Sequence, residues 1–268
     1  MKITFLGSGY ATATNCYNTS FLIDNDSQYL LVDAGGGNGI LNQAKKINFD
    51  WTKLNYAFIS HAHIDHLLGI FWVLRSHICR DFLAGKRIDL FHIYCHDEVA
   101  EIIRFMVIKT FSRKYSQLLD DKIIIHLVED RQKATLIGLK FTFIDILATS
   151  AKQFGFQVKF GNNKIFTFLG DEPCNPKLHS LIKKSDYLIH EAMCTQSEED
   201  VFHPHQKHHS TVVDACQVAN QCEVGCLIIT HTEDKDQINR QSKYLAESQQ
   251  HFKGKSLVPS DLEVIELV

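Results

Sequence analysis

Three histidines and a carboxylate fall between residues 61 and 66 of this chain: His61, His63, Asp65 and His66, in the run Ser-His-Ala-His-Ile-Asp-His-Leu-Leu-Gly over residues 60 to 69. Imidazole and carboxylate are borderline-to-hard donors that suit Zn²⁺, Mn²⁺ or Fe. Two such ions held close together polarise a substrate oxygen and generate hydroxide near neutral pH. That chemistry needs donors from elsewhere in the chain. Asp171 follows Phe166-Thr167-Phe168-Leu169-Gly170, and His231 follows Cys226-Leu227-Ile228-Ile229-Thr230. Each stands where an apolar strand ends, the place from which a rigid scaffold presents functional groups. Taken singly, a turn aspartate and a strand-end histidine are ordinary features. Their shared context with the cluster at 61 to 66 makes them ligand candidates. His190-Glu191 follows Asp186-Tyr187-Leu188-Ile189 in the same way. His203, His205, His208 and His209 crowd together before a helix for which Ser210 or Thr211 would be the N-cap. One of these four is expected in the site, and the others read as solvated loop residues. Cys216, Cys222 and Cys226 offer a small zinc site on paper, but packing on a helix and the following strand explains them better.

The elements that position these residues can be read from periodicity and turn chemistry. Strands are expected at 2–6, 20–23, 29–32 and 56–60. Gly35-Gly36-Gly37 and Gly39 form a turn that opens a helix at about 40–46. The four side chains at 61–66 then lie on the loop leaving the strand at 56–60, and Leu67 to Leu83 reads as the next helix. A strand over 88–94 and a helix over 98–111, with Asp97 as its N-cap, lead to a strand at 122–128. Strands at 134–137 and 139–146 flank Gly138. Strands at 156–160 and 164–169 flank Gly161-Asn162-Asn163, a hairpin signal. The remainder alternates: strand 187–190, helix 211–221, strand 226–230, helix 237–249, strand 262–267. Each half supplies strands and then helices, which two sheets packed face to face with helices outside would satisfy.

Composition narrows the class. The chain has 268 residues, is 45% hydrophobic and 22% charged, and contains four prolines with no linker or repeat, so a single domain over 1–268 is expected. A net charge of −3 provides no basic field for nucleic acid. Lys109, Arg113 and Lys114 make a small basic patch that a solvated helix end explains equally well. No apolar run approaches twenty residues, so no membrane span is expected. The first residues, Met1 to Gly7, read as a strand and lack the apolar core of a signal peptide. Eight cysteines without a CxxC pair read as reduced thiols of a cytoplasmic protein.

Taken together, these residues resemble the metallo-β-lactamase superfamily and, within it, the ribonuclease Z-like branch. Gly7-Ser8-Gly9, Asn18-Thr19-Ser20 and Asp33-Ala34-Gly35 are similar to that branch's N-terminal segments. Residues 61 to 66 are its HxHxDH motif. Gly170-Asp171, His190-Glu191-Ala192, His209-Ser210-Thr211 and Thr230-His231 match its later motifs, with Met193 where the branch has threonine. The resemblance implies a four-layer αβ/βα sandwich and a hydrolase with one or two divalent ions, zinc first, with Mn or Fe as alternatives. It implies that His61 and His63 hold the first ion, that Asp65, His66 and His231 hold the second, and that Asp171 bridges them. A metal-bound hydroxide would attack phosphorus in line, with Asp65, His209 and Glu191 as catalytic residues. Glu191 would orient His209, and His209 would protonate or hydrogen-bond the leaving oxygen. Asp33 would steady the HxHxDH loop.

Two departures shape the expected function. The branch has a further histidine for the first ion where this chain has Thr149, in Ile146-Leu147-Ala148-Thr149-Ser150. Thr149 or Ser150 is therefore expected to face the first ion without replacing the imidazole. The long basic arm that grips tRNA in the branch is also missing, because only fifteen residues separate Gly155 from Asp171. A small or nucleotide-like phosphodiester is accordingly the expected substrate, with neither tRNA nor membrane as partner, and monomer and homodimer both remain open. Two alternatives stand beside this reading. One is a lactone or thioester hydrolase of the same fold. The other is a catalytically degenerate metal-binding or sensing protein, which Thr149 favours.

Overall fold

The computed structural model describes residues 1–76, 85 and 89–268. Cys79, the second half of the helix expected at 67–83 and the first residue of the strand expected at 88–94 lie outside the described residues.

The strands, in chain order, are β1 (Lys2–Gly7), β2 (Ser20–Asn25), β3 (Gln28–Val32), β4 (Leu54–Phe58), β5 (Phe91–Cys95), β6 (Ile123–Leu127), β7 (Lys133–Leu136), β8 (Leu139–Asp145), β9 (Phe154–Phe160), β10 (Lys164–Phe168), β11 (Tyr187–Glu191), β12 (Cys226–Thr230), β13 (Lys255–Leu257) and β14 (Val264–Glu266). They form two sheets of seven strands, ordered β14-β1-β2-β3-β4-β5-β6 and β13-β12-β11-β10-β9-β8-β7. Period-two alternation explains why each sheet buries both faces. Ile3, Phe5, Phe21, Ile23, Leu30, Val32 and Phe58 point inward from the first sheet. They meet Phe141, Phe143, Phe156, Val158, Phe166 and Phe168 of the second in one core. The alternate residues Leu22, Leu31 and Ala57 face helices Gly39–Lys46, Gly69–Leu74 and Asp97–Thr110. Leu188, Leu227 and Ile229 face helices Val212–Gln221 and Arg240–His251. The result is the four-layer αβ/βα sandwich.

Strand direction matters most for the site. β3 to β6 run parallel to one another, and so do β10 to β13. In parallel sheets ligands gather outside the carboxyl ends of the strands. Those ends lead here to Asp33, to His61 and His63, to Asp171, to Glu191 and to His231.

Several expectations need correction. The helix after β4 starts at Ile64, not Leu67, so Asp65 and His66 sit in its first turn while only His61 and His63 are on the loop. A single-sequence pattern misses this start because His63, the N-cap, makes no side-chain cap hydrogen bond. Asp97 is the first residue of its helix; His96 occupies the cap. Thr211 is the cap of Val212–Gln221, with Asp214 completing a capping box. β13 and the short helices Arg113–Ser116, His179–Ile182 and Glu199–Phe202 are too short to show a period in the sequence. The segment between Gly155 and Asp171 is the β9–β10 hairpin, closed by a tight turn at Gly161 with φ +46°. Among the described residues no helix is long and apolar enough to cross a membrane.

Candidate metal centre

Asp33 is the residue from which the centre is built. It lies just past β3 with φ +51°, is fully buried, and accepts three hydrogen bonds, from Ser60 N at 2.7 Å, Ser60 Oγ at 2.8 Å and His66 Nδ1 at 2.8 Å. With its proton committed to Asp33, the Ser60 hydroxyl accepts from His61 Nδ1–H at 2.9 Å. One carboxylate thereby engages Nδ1 of two imidazoles, one directly and one through Ser60, and turns Nε2 of each toward Asp171. The turn carrying Asp33 is joined to the helix carrying His66. Ala34 N donates to His66 O at 2.8 Å and Gly69 N donates to Gly35 O at 2.9 Å. A Cβ on Gly69 would stand 1.8 Å from Ala34 O, so this approach needs glycine.

The donors converge on Asp171, 2% exposed at the end of β10. Its Oδ2 lies 3.5 Å from His61 Nε2, 3.2 Å from His66 Nε2 and 3.4 Å from His231 Nε2. Asp65 Oδ2 lies 3.3 Å from His66 Nε2 and 3.3 Å from His231 Nε2. Two sets result, His61–His63–Asp171 and Asp65–His66–Asp171–His231, with Asp171 common to both. His63 is the exposed member. His231, like Asp33, has a positive φ, +56°. Such backbone costs about 1–3 kcal/mol for a non-glycine residue and clusters at functional sites.

These residues fit a divalent cation. Donors around a tetrahedral ion at about 2.0–2.2 Å stand roughly 3.3–3.6 Å from one another, which is the spacing observed. His61 Nε2, His66 Nε2 and Asp171 Oδ1 are buried without a hydrogen-bond partner. Leaving each so would cost about 1–3 kcal/mol. The charges agree. Burial pushes His61 well below its usual range. It pushes His66 down too, but Asp65, Asp33 and Asp171 outweigh it and hold His66 well above. Burial would raise Asp65 and Asp171, yet the surrounding imidazoles hold both carboxyls well below the ordinary range. The pocket of charge is built for a cation.

His209 and Glu191 stand against this cluster. Glu191, 1% exposed at the end of β11, accepts from Ser210 N at 2.6 Å, and its other oxygen is 3.6 Å from His209 Nδ1. His209 Nδ1–H donates to the Asp171 carbonyl at 2.8 Å, so Nε2 is its free nitrogen. The His209 ring centroid is 4.9 Å from that of His231. Burial pushes His209 down, but Glu191, with Asp171, outweighs it and holds the ring up at about 9. Of the neighbouring histidines, His205 is tied to Glu199 at 2.9 Å and Asp214 at 2.8 Å, and His208 lies 2.7 Å from the Thr149 hydroxyl. His203 closes helix Glu199–Phe202 with φ +49°. His190 is used structurally: its Nδ1–H donates to Glu191 O at 2.6 Å and its Nε2 accepts from Cys174 N at 3.3 Å.

The hydroxyls and backbone N–H groups of Thr149 and Ser150 are taken up by Glu172. Glu172 is itself 4% exposed. It accepts from Thr149 N at 2.6 Å, Thr149 Oγ1 at 3.1 Å, Ser150 N at 2.9 Å and Ser150 Oγ. Cys216, Cys222 and Cys226 are buried core residues and belong to none of the donor clusters among the described residues. Three contributors went unread in the sequence. Ser60 links His61 to Asp33, Glu172 pins the 149–150 loop, and Gln153 Oε1 accepts from Asp171 N at 3.3 Å. Only the place of Ser60, at the strand end beside the motif, was a signal.

Residues 1–251 match the family described as Anti-Pycsar protein Apyc1. The chain belongs to this family. Ribonuclease Z of Enterococcus faecalis is 22% identical to this Apyc1-family chain over 315 residues, covering 100% of it and 97% of the relative. The metallo-β-lactamase fold protein YhfI from Bacillus subtilis superposes with a TM-score of 0.81 at 19% identity, over 99% of each chain. The short form of human tRNase Z superposes with a TM-score of 0.75 at 19% identity, over 100% of each chain. The Apyc1-family chain thus has the metallo-β-lactamase fold with ribonuclease Z-like relatives, and it is a metal-dependent hydrolase by class.

Proposed function

We propose that the protein is a phosphodiesterase for a small, nucleotide-like phosphodiester. His61, His63, Asp65, His66, Asp171 and His231 hold one or two divalent ions, zinc first and Mn or Fe as alternatives. The observation that carries this reading is His209. Its ring is tied to the backbone of Asp171, held up at about 9 beside Glu191, and set against the donor cluster. An alkoxide leaves phosphorus badly without a proton, and a histidine with a free Nε2–H beside the reacting centre supplies one. A thiolate, with a pKa of about 8.5, leaves unaided, so the arrangement favours phosphodiester over thioester chemistry.

Divalent ions bound there supply Lewis acidity toward a phosphoryl oxygen and toward water. The chain's own residues do the rest. Asp33, directly and through Ser60, aims His66 and His61. Glu191 keeps the positive charge on His209. His209 Nε2 gives its proton to the departing oxygen. The tight β9–β10 turn, where a long arm would otherwise be inserted, and the net charge of −3 support a small substrate over tRNA, whose binding draws on many phosphate contacts.

The test is metal content of the purified protein followed by turnover of bis(p-nitrophenyl) phosphate with and without added Zn²⁺, Mn²⁺ or Fe²⁺. Metal-dependent release of p-nitrophenolate is expected. Protein that binds metal but leaves the diester intact would reduce the reading to a metal-binding module, and protein that binds none would remove it altogether.

A further inference from the structure

A cavity of about 480 Å³ lies beside Trp72, Phe71 and Met106, away from the donor cluster's residues. A smaller one, wholly within the described residues, shares a wall with the centre. It measures about 290 Å³ and lies between the loop at 147–149, the turn at 172–176 and the histidine-rich segment ending at His209. His209 is both a lining residue of this cavity and a member of the cluster formed with Glu191 and His231. A group that took its proton from His209 would therefore lie against one wall of this cavity.

Hydrogen-bond accounting fixes what the cavity presents. Glu172 can only accept, so Thr149 Oγ1 donates to it and must accept from His208 Nδ1–H at 2.7 Å. That leaves Nε2 as the free ring nitrogen of His208, which lines the cavity together with His209. Glu172 holds the opposite loop by four hydrogen bonds, and Pro173 and Pro176 stiffen the turn, so the walls are preformed. Among the described residues the aromatic rings in the lining are the imidazoles of His205, His208 and His209, with no Phe, Tyr or Trp.

We propose that this cavity receives the group expelled from phosphorus, that it fits a single ring bearing a hydroxyl, and that His208, positioned by Thr149, is the residue that selects for that hydroxyl. This rests on the phosphodiesterase reading and adds the side from which product leaves. In the step, a water oxygen bonds to phosphorus while the bond from phosphorus to the expelled oxygen breaks with its electron pair. That oxygen takes the His209 proton, and the proton lost by water restores His209. Diester and water thus become monoester and alcohol.

Leu147, at the rim and 40% exposed, lies outside the catalytic machinery and can be enlarged to fill the cavity. The probes are bis(p-nitrophenyl) phosphate and methyl p-nitrophenyl phosphate, which expel the same group and retain different ones. In the metal-loaded protein, Leu147→Phe and then Leu147→Trp should lower kcat/KM for both probes by similar factors, reaching roughly tenfold or more. Slowing of the bis ester alone would show that the cavity holds the retained group, and no slowing of either would show that it holds neither; each overturns the proposal while leaving the phosphodiesterase reading intact. If metal-loaded wild type hydrolyses neither probe, that reading fails and the proposal falls with it. For His208, methyl diesters expelling 3-hydroxymethyl-4-nitrophenolate and 3-methyl-4-nitrophenolate are compared. Wild type should prefer the hydroxymethyl ester by roughly tenfold, and His208→Phe, which keeps the ring volume, should abolish the preference without altering metal content. An unchanged preference would remove His208 from the role.

Discussion

At the scale of single residues, the centre depends on where protons are committed. Asp33 touches no substrate, yet it decides which nitrogen of His61 and His66 is free. Asp33→Asn keeps the size but replaces one of the two accepting oxygens with a donor that faces Ser60 or His66. It should weaken metal binding by about 10–100-fold, measured by competition with a chromogenic chelator; unchanged affinity would mean the imidazoles are aimed by something else. His209→Ala should behave differently. It should retain metal and lower kcat by about 10²–10⁴ for an alkoxide leaving group, with a smaller loss for p-nitrophenolate, which needs little protonation. Equal losses for the two leaving groups, or loss of metal, would make His209 structural.

At the scale of elements, two junctions hold the functional side chains in place. The first is the contact of Gly69 with Ala34. Gly69→Ala puts a methyl against a backbone oxygen that is itself part of the Asp33 turn, so relief must move either the turn or the helix bearing His66. A loss of about 1–3 kcal/mol is expected, read by denaturant unfolding, together with weakened metal binding. A stability loss without any change in metal affinity would show that the two elements move independently. The second junction is His205, which bridges Glu199 and Asp214 and so ties helix Glu199–Phe202 to the cap of helix Val212–Gln221. The hydrogen bond to Asp214 raises His205 above its ordinary value, with a smaller opposing effect of burial. A group raised in the folded state contributes stability that is fully present below the unfolded pKa of about 6.5 and is lost as pH rises through the folded value. Amide protection across 199–211, corrected for intrinsic exchange, should therefore fall on going from below pH 6.5 to alkaline pH, and His205→Gln should flatten the profile. A wild-type profile already flat would contradict the tie.

At the scale of the whole molecule, the two sheets meet in an aromatic core, and the candidate metal centre draws donors from the strand ends of both. Asp33, His61, Asp65 and His66 come from segments at the strand ends of the first sheet, whereas Asp171, Glu191, His209 and His231 come from those of the second. An ion held by these donors would link the halves. Because it binds only the folded arrangement, each tenfold rise in free metal above Kd should add about 1.4 kcal/mol. Chelation should lower Tm, and re-addition should raise it in proportion to the logarithm of free metal. A Tm indifferent to chelator in protein shown to carry metal would sink the view that the centre ties the sheets.

Much was legible from residue order alone. Alternation and 3.6-residue spacing are local properties, so the strands ending at Phe58, Phe168, Glu191 and Thr230 and the longer helices Val212–Gln221 and Arg240–His251 could be read, and with them the residues at each strand end. The two-sheet layering followed from the need to bury both faces of each sheet. Tertiary structure alone decided the rest. That Asp171 lies 3.2 Å from His66, across more than a hundred residues of chain, depends on how one sheet seats on the other. That depends in turn on the complementary shapes of Phe58, Phe143, Phe156 and Phe168, which no periodicity encodes. The same applies to Thr149. Residue order places it near the first ion, whereas Glu172 and His208, brought in from other loops, take up its hydrogen bonds. Sequence pattern determines which residues can reach a strand end, because backbone geometry repeats over a few residues. Which strand ends meet is set by packing among side chains far apart in the chain.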